Sequence, residues 1–195
     1  MKHVLRSVVL VLALAALCGP AAAQQGPDEE AMMKVYMQAA APGAQHQRLA
    51  QLAGSWQIKS TSWQMPGAPP IESTGTAQKT MILGGRYLQE TMDGTMMDMP
   101  FQGLGLLGYD NLRQEYSGVW LDDMSTQLMP YSGQYDPVHK TYTMKGEYLD
   151  AASGQLVTAR MVTTVVSDKE HRFEMFMPGP DGKEFKGMEM VYTRN

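Results

Sequence analysis

Apolar and polar residues alternate along this chain with two different periods, and the change comes at Gly54. Before it the spacing is helical. Met33, Tyr36, Met37 and Ala40 recur on one face, Pro27 and the acidic Asp28-Glu29-Glu30 suit a first helical turn, and Pro42-Gly43 stops the run. A second, shorter helix is expected from His46 to Ala53, with Leu49, Ala50 and Ala53 on one side, as a plug for one end of a barrel. From Gly54 to Arg194 the period is two. Val157, Ala159, Met161, Thr163 and Val165 share a face. Phe173, Met175 and Met177 alternate with Arg172, Glu174 and Phe176, and Met188, Met190, Tyr192 and Arg194 lie opposite Gly187, Glu189 and Val191.

Turn chemistry divides this long stretch. The expected turns are Pro66-Gly67, Gly84-Gly85, Asp93-Gly94, Asp110-Asn111, Asp122-Asp123, Asp136-Pro137, Ser153-Gly154, Ser167-Asp168 and Gly179-Pro180-Asp181-Gly182. Nine such turns separate about ten strands, and with no helix between them every connection is antiparallel. An open sheet of that width leaves two unpaired edges, whereas closure removes both, and neighbour-to-neighbour turns favour a barrel over a sandwich. The expected fold class is all-β: an antiparallel up-and-down barrel of about ten strands with one or two N-terminal helices. About eight strands already enclose room for packed side chains or one small ligand. Ten leave more, so a cavity follows from the topology.

The start of the chain reads differently again. Lys2 and Arg6 precede an apolar run from Val8 to Leu17, and Pro20 precedes Ala21-Ala22-Ala23, the pattern of a cleaved signal peptide over residues 1–23. The run makes roughly 15 Å of helix against the about 30 Å of a bilayer core, too short for a permanent span. Leu17 before Cys18 is too bulky for lipoprotein processing. The expected organisation is residues 1–23 as signal peptide, 24–43 as leader and amphipathic helix, and 44–195 as the barrel, in the periplasm or secreted. Cleavage removes Cys18, the chain's one cysteine, and with it any disulfide, thiol nucleophile or thiolate ligand. It also takes the formal charge from −4 to −6, because Lys2 and Arg6 are lost. An acidic balance argues against nucleic acid or an anionic membrane surface as partner.

Gly54-x-Trp56 at the first strand, after a short helical turn, resembles the opening of lipocalins and their calycin relatives. The resemblance implies that Trp56 closes one end of the barrel with Arg194 packed over its ring, a cation–π contact of about 0.5–2 kcal/mol. Longer segments carry a second likeness. Ile82-Leu83-Gly84-Gly85-Arg86-Tyr87-Leu88-Gln89-Glu90, Met99-Pro100-Phe101-x-Gly103-x-Gly105-x-x-Gly108-Tyr109-Asp110-Asn111, Lys183-Glu184-Phe185-Lys186 and the closing Tyr192-Thr193-Arg194 resemble the bacterial domain-of-unknown-function 1579 family from about His46 onward. It implies a secreted, lipocalin-like barrel and brings no substrate, cofactor or catalytic residue.

Candidate chemistry is sparse. Eighteen methionines are an oddity, and Met92, Met96, Met97 and Met99 cluster beside Asp93 and Asp98. Soft thioethers suit Cu(I), while methionine also fills irregular apolar space. His46, His139 and His171 lack metal-pair spacing, and no His-Glu-x-x-His or Gly-x-Ser-x-Gly motif is present. His171 opens a strand, where a single-histidine haem site, of the kind a ten-stranded cousin barrel holds, stands against an ordinary structural role. Asp122 and Asp123 point to opposite faces and read as a turn rather than a carboxylate pair.

Glu90 shares a face with Leu88 and Met92, so it is a candidate inward carboxylate, and Arg160 is a candidate countercharge or anchor for an acidic ligand. Tyr116 and Trp120 share a face across Gly118, and Tyr131 and Tyr135 across Gly133, which fits either a pocket wall or plain core packing.

The function expected from these residues is binding of a small, partly apolar molecule inside the barrel, with Glu90, Tyr116, Trp120, Tyr131, Arg160 and Met175 as contacts. No cofactor is expected, and no catalytic residue is assigned. The alternatives are an isomerase or hydrolase using Glu90 with a tyrosine, a methionine-rich Cu(I) binder, or an interaction protein using the helix from Asp28 to Ala41.

Overall fold

The computed structural model describes residues 28–96, 99–151 and 153–195. Residues 1–23, the segment expected to be a signal peptide, lie outside them, as do Met97 and Asp98. Helix α1 (Glu29–Ala40) crosses the boundary between two compact units, residues 1–36 and 37–195. None of its residues is buried. In the second unit, Asn111 Nδ2 donates to the carbonyls of Ala39 and Ala41 at 2.8 and 2.9 Å, holding the end of that helix.

Ten strands follow: β1 (Gly54–Ser62), β2 (Ile71–Ile82), β3 (Tyr87–Met96), β4 (Met99–Asp110), β5 (Glu115–Asp122), β6 (Met129–Asp136), β7 (Thr141–Leu149), β8 (Leu156–Val165), β9 (Glu170–Pro178) and β10 (Glu184–Arg194). They pair in chain order, all antiparallel, and the barrel closes where β1 meets β10. The closing register sets Trp56 opposite Arg194 and Ser62 opposite Met188. Strand number and closure are those expected from the alternation.

One expected turn is displaced. Asp93-Gly94 has turn chemistry, yet both residues lie within β3, where Gly94 pairs with Gly75 on one side and Phe101 on the other. A side chain at Gly94 would stand 2.9 Å from the Thr74 carbonyl oxygen and 3.1 Å from Gly75 Cα. The glycine therefore permits a close approach of two strands rather than a reversal. β3 runs on to Met96 and β4 begins at Met99. By contrast, Gly84 and Gly85 do reverse the chain: both hold positive φ between β2 and β3, a conformation costly to other residues.

Helix α2 (Ala44–Ala50) and the turn after it plug one end. Leu49 is fully buried and Leu52 nearly so, both packed with Leu88, Tyr116, Tyr142, Met144 and Met161. Burying a leucine side chain fully is worth about 1.5–3 kcal/mol, which makes the plug part of the core rather than an appendage. The plug is tied down by polar contacts as well. Arg48 donates to the Tyr116 hydroxyl at 3.1 Å and lies over the Tyr135 ring, and Trp56 Nε1 donates to the Leu52 carbonyl at 2.9 Å. The α2 end is thus closed. The loops β1–β2, β3–β4, β5–β6, β7–β8 and β9–β10 gather at the other.

Candidate functional site

Above the plug the inward side chains leave a cavity of about 660 Å³. That is within the range of about 300–1,000 Å³ typical of small-molecule sites. Ten of the residues bordering it are methionines, joined by Leu88, Phe101, Trp120, Phe173 and several tyrosines. The period-two pattern explains the wall. Each strand sends every second residue inward, and in β7, β8, β9 and β10 those residues include Met144, Met161, Met175, Met177, Met188 and Met190. Two glycines of β4 shape it. A side chain at Gly103 would collide with the Trp120 ring, and one at Gly105 would stand 3.2 Å from it, so the indole lies against bare backbone. Trp120 Nε1 donates to Asp122 Oδ2 at 2.9 Å, which fixes the ring at the cavity's upper wall.

A polar cluster lies inside this apolar lining. Lys79 and Glu90 face each other across β2 and β3 and form an ion pair of 3.3 Å, with side chains only 7% and 18% exposed. Lys79 Nζ is also 3.0 Å from His171 Nε2 and sits over the Tyr192 ring at 4.3 Å. His171 stacks on Tyr192 and meets Trp56 edge-on, with both centroid distances 4.3 Å. Because an ammonium only donates, His171 Nε2 must accept, which places the ring's proton on Nδ1. Burial, with Lys79 and Arg194 nearby, lowers the His171 pKa to about 2, so the imidazole is neutral. Burial lowers the Lys79 pKa too, opposed by Glu90. Burial and the Glu90 carboxylate push the Tyr192 and Tyr131 phenols up.

On three residues that border the cavity a buried polar atom has no hydrogen-bond partner among the described residues: Glu90 Oε1, the Tyr142 hydroxyl and His171 Nδ1. Unsatisfied buried groups cost about 1–3 kcal/mol each.

The residues singled out in the sequence separate into three groups. Glu90, Trp120, Tyr131 and Met175 border the cavity. Tyr116 does not; it is buried in the core beneath, between Tyr109 and Tyr142. Arg160 is a correction. Its neighbours Ala159 and Met161 are buried, so alternation sends it outward, where it grips Glu184 at 2.7 Å and covers the Phe176 ring. The partner of Glu90 is Lys79 instead.

Trp56 and Arg194 stand as expected, with the guanidinium 4.2 Å from the ring centroid. Arg194 also donates to the carbonyls of Ala53, Gln51 and Asp168. Of the methionine cluster, Met92 and Met96 border the cavity and Met99 is exposed at the start of β4, while Met97 lies outside the described residues. Among the described residues no three His, Cys, Asp or Glu side chains gather as a metal site. His139 is exposed in the β6–β7 turn, bonded to Asp136 at 2.6 Å.

The chain matches, over residues 41–194, the family model described as protein of unknown function (DUF1579). No curated protein matches it. Among solved structures, Rv2717c from M. tuberculosis is similar at 14% identity over 80% of this chain and 99% of that one, with a TM-score of 0.57. This likeness reflects a shared fold. A redesigned beta barrel aligns at 15% identity over 76% and 95% of the two chains (TM-score 0.41), and EF1p2_mFAP2b bound to DFHBI at 13% over 77% and 98% (TM-score 0.42). Among the described residues no helix is long and apolar enough to cross a membrane.

Proposed function

We propose that this chain, which belongs to the DUF1579 family of proteins of unknown function, binds a small, largely apolar molecule inside its barrel. The observation that carries the reading is the cavity of about 660 Å³, walled by methionines and aromatics and holding a short list of polar groups. Binding comes from removing the ligand's apolar surface from water, at roughly 25 cal/mol per Å² before the costs of association. Methionine makes such a wall tolerant, because an unbranched thioether side chain changes rotamer to suit different shapes. The polar groups restrict orientation.

The basic start, apolar run and Ala21-Ala22-Ala23 support export with cleavage before Gln24, so the ligand is met outside the cytoplasm. Native mass spectrometry on protein purified from its own host tests both parts. The expected result is a chain beginning at Gln24 that retains a small molecule. Ligand-free spectra, together with no uptake of the neutral dye Nile red, would overturn the binding reading.

A further inference from the structure

Methionine bordering the cavity concentrates on one side of the barrel. Met175 and Met177 project inward from β9, and Met188 and Met190 from β10, all four half-buried and bordering the cavity. The register sets Met188 opposite Met175, and Met161 of β8 stands opposite Met175 on its other side. Directly opposed side chains in a sheet have Cβ atoms about 4.5–5.5 Å apart, so these thioethers form a continuous surface. Two of the sulfurs already serve as soft acceptors. The Tyr148 hydroxyl donates to Met177 Sδ at 3.1 Å, and the Tyr192 hydroxyl to Met190 Sδ at 3.5 Å.

Aromatic rings occupy the wall that faces them. In the closed order of ten strands, β4 lies five places from β9, and β5 five places from β10, in either direction. Each pair therefore stands across the barrel. Phe101 near the start of β4 and Trp120 near the end of β5 both border the cavity. They lie toward the open end, as does Met177 near the end of β9. A molecule in the cavity has thioethers on one side and rings on the other.

A thioether is polarizable and makes favourable contacts with aromatic rings beyond what burial alone supplies. A saturated molecule of the same outline gains the burial without those contacts. A ring meeting Phe101 or Trp120 edge-on or offset gains again. We infer, on the premise that the barrel binds a small molecule, that the cavity selects aromatic ligands over aliphatic ones of equal size. The ring sits between the β9–β10 methionines and the pair Phe101 and Trp120.

Displacement of Nile red by 2-naphthalenemethanol and by its decahydro analogue tests this, because the two alcohols share a carbon skeleton and a hydroxyl. The aromatic alcohol is expected to bind at least about tenfold more tightly. Met175→Leu combined with Met188→Leu nearly conserves volume and apolarity while removing two sulfurs. That double variant is expected to reduce the ratio at least about threefold and to hold the saturated alcohol within about twofold. The decahydro alcohol binding as tightly as the aromatic one would overturn the aromatic selection and leave the binding reading standing. An unchanged ratio in the folded double variant would overturn the part given to the methionines. No Nile red binding at all would overturn the binding reading, and this selection with it.

Discussion

Lys79 Nζ and His171 Nε2 lie 3.0 Å apart inside the barrel, a lysine donating to a histidine that must stay uncharged to accept. Two consequences follow for solution behaviour. The first is that His171 does not titrate near neutrality. Its pKa is about 2 in the folded state against 6.5 unfolded, so as pH falls below 6.5 the unfolded chain takes up a proton that the folded one refuses. Stability therefore declines with falling pH across that window, by up to about 1.4 kcal/mol per unit, and is fully present above it. His46, also lowered by burial, adds in the same direction. Imidazole nitrogen shifts should show His171 neutral, with the proton on Nδ1, from pH 8 to pH 5. A midpoint near 6.5 would contradict the arrangement.

The second consequence concerns the ion pair. Lys79→Met strands the Glu90 carboxylate in an apolar cavity, and removing one partner of a buried pair costs about 3–5 kcal/mol. Replacing both residues, Lys79→Met with Glu90→Leu, removes the orphan and should recover most of that loss. Urea unfolding of the two single variants and the double variant reads the difference. A double variant no more stable than Lys79→Met would show that the pair is not the linked unit described.

This pair also shows where sequence reading stops. Strand number and closure were legible because alternation and turn residues are local signals, repeated from Gly54 to Arg194. The inward face of Glu90 was legible from Leu88 and Met92. Its partner was not read, although Ala77 and Met81 share the face of Lys79 and Gln78 and Thr80 lie on the other, because lysine is by default a solvent-facing residue. The signal that identifies Lys79 is register. With Ile82 opposite Tyr87 across the Gly84-Gly85 turn, counting three residues along each strand brings Lys79 opposite Glu90. Arg160 misled for the converse reason: a charge in an apolar strand suggests a buried role, while the burial of Ala159 and Met161 on either side sends it out.

Arg194 closes the barrel more by carbonyl contacts than by its aromatic one. Its guanidinium donates to Ala53, Gln51 and Asp168 besides covering Trp56, so it joins α2, β1, the β8–β9 turn and β10. Arg194→Ala is expected to cost about 2–3 kcal/mol, taking part-exposed charged hydrogen bonds at the low end of their range. Arg194→Lys should recover little, because one ammonium cannot reproduce the planar fork. Thermal unfolding followed by tryptophan fluorescence checks both. Full stability in Arg194→Lys would assign the closure to charge over Trp56 alone.

Gly103 offers a way to change the cavity's shape without replacing a residue that borders it. Trp120 lies where a Gly103 side chain would be, and its Nε1 is held by Asp122 at 2.9 Å. Gly103→Ala leaves the ring no room against β4, so the indole must tilt into the cavity and loosen from Asp122. Gly105→Ala, whose methyl group would stand 3.2 Å from the same ring, asks for a smaller shift. Nile red affinity is therefore expected to fall by about tenfold or more in Gly103→Ala and by less in Gly105→Ala, with Trp120 emission moving in the same order. The order is the informative part. Loss of strand stability alone would weaken both variants through unfolding and leave the affinity of the folded fraction unchanged, whereas a cavity bounded by Trp120 loses affinity in the folded protein, in proportion to the ring's displacement.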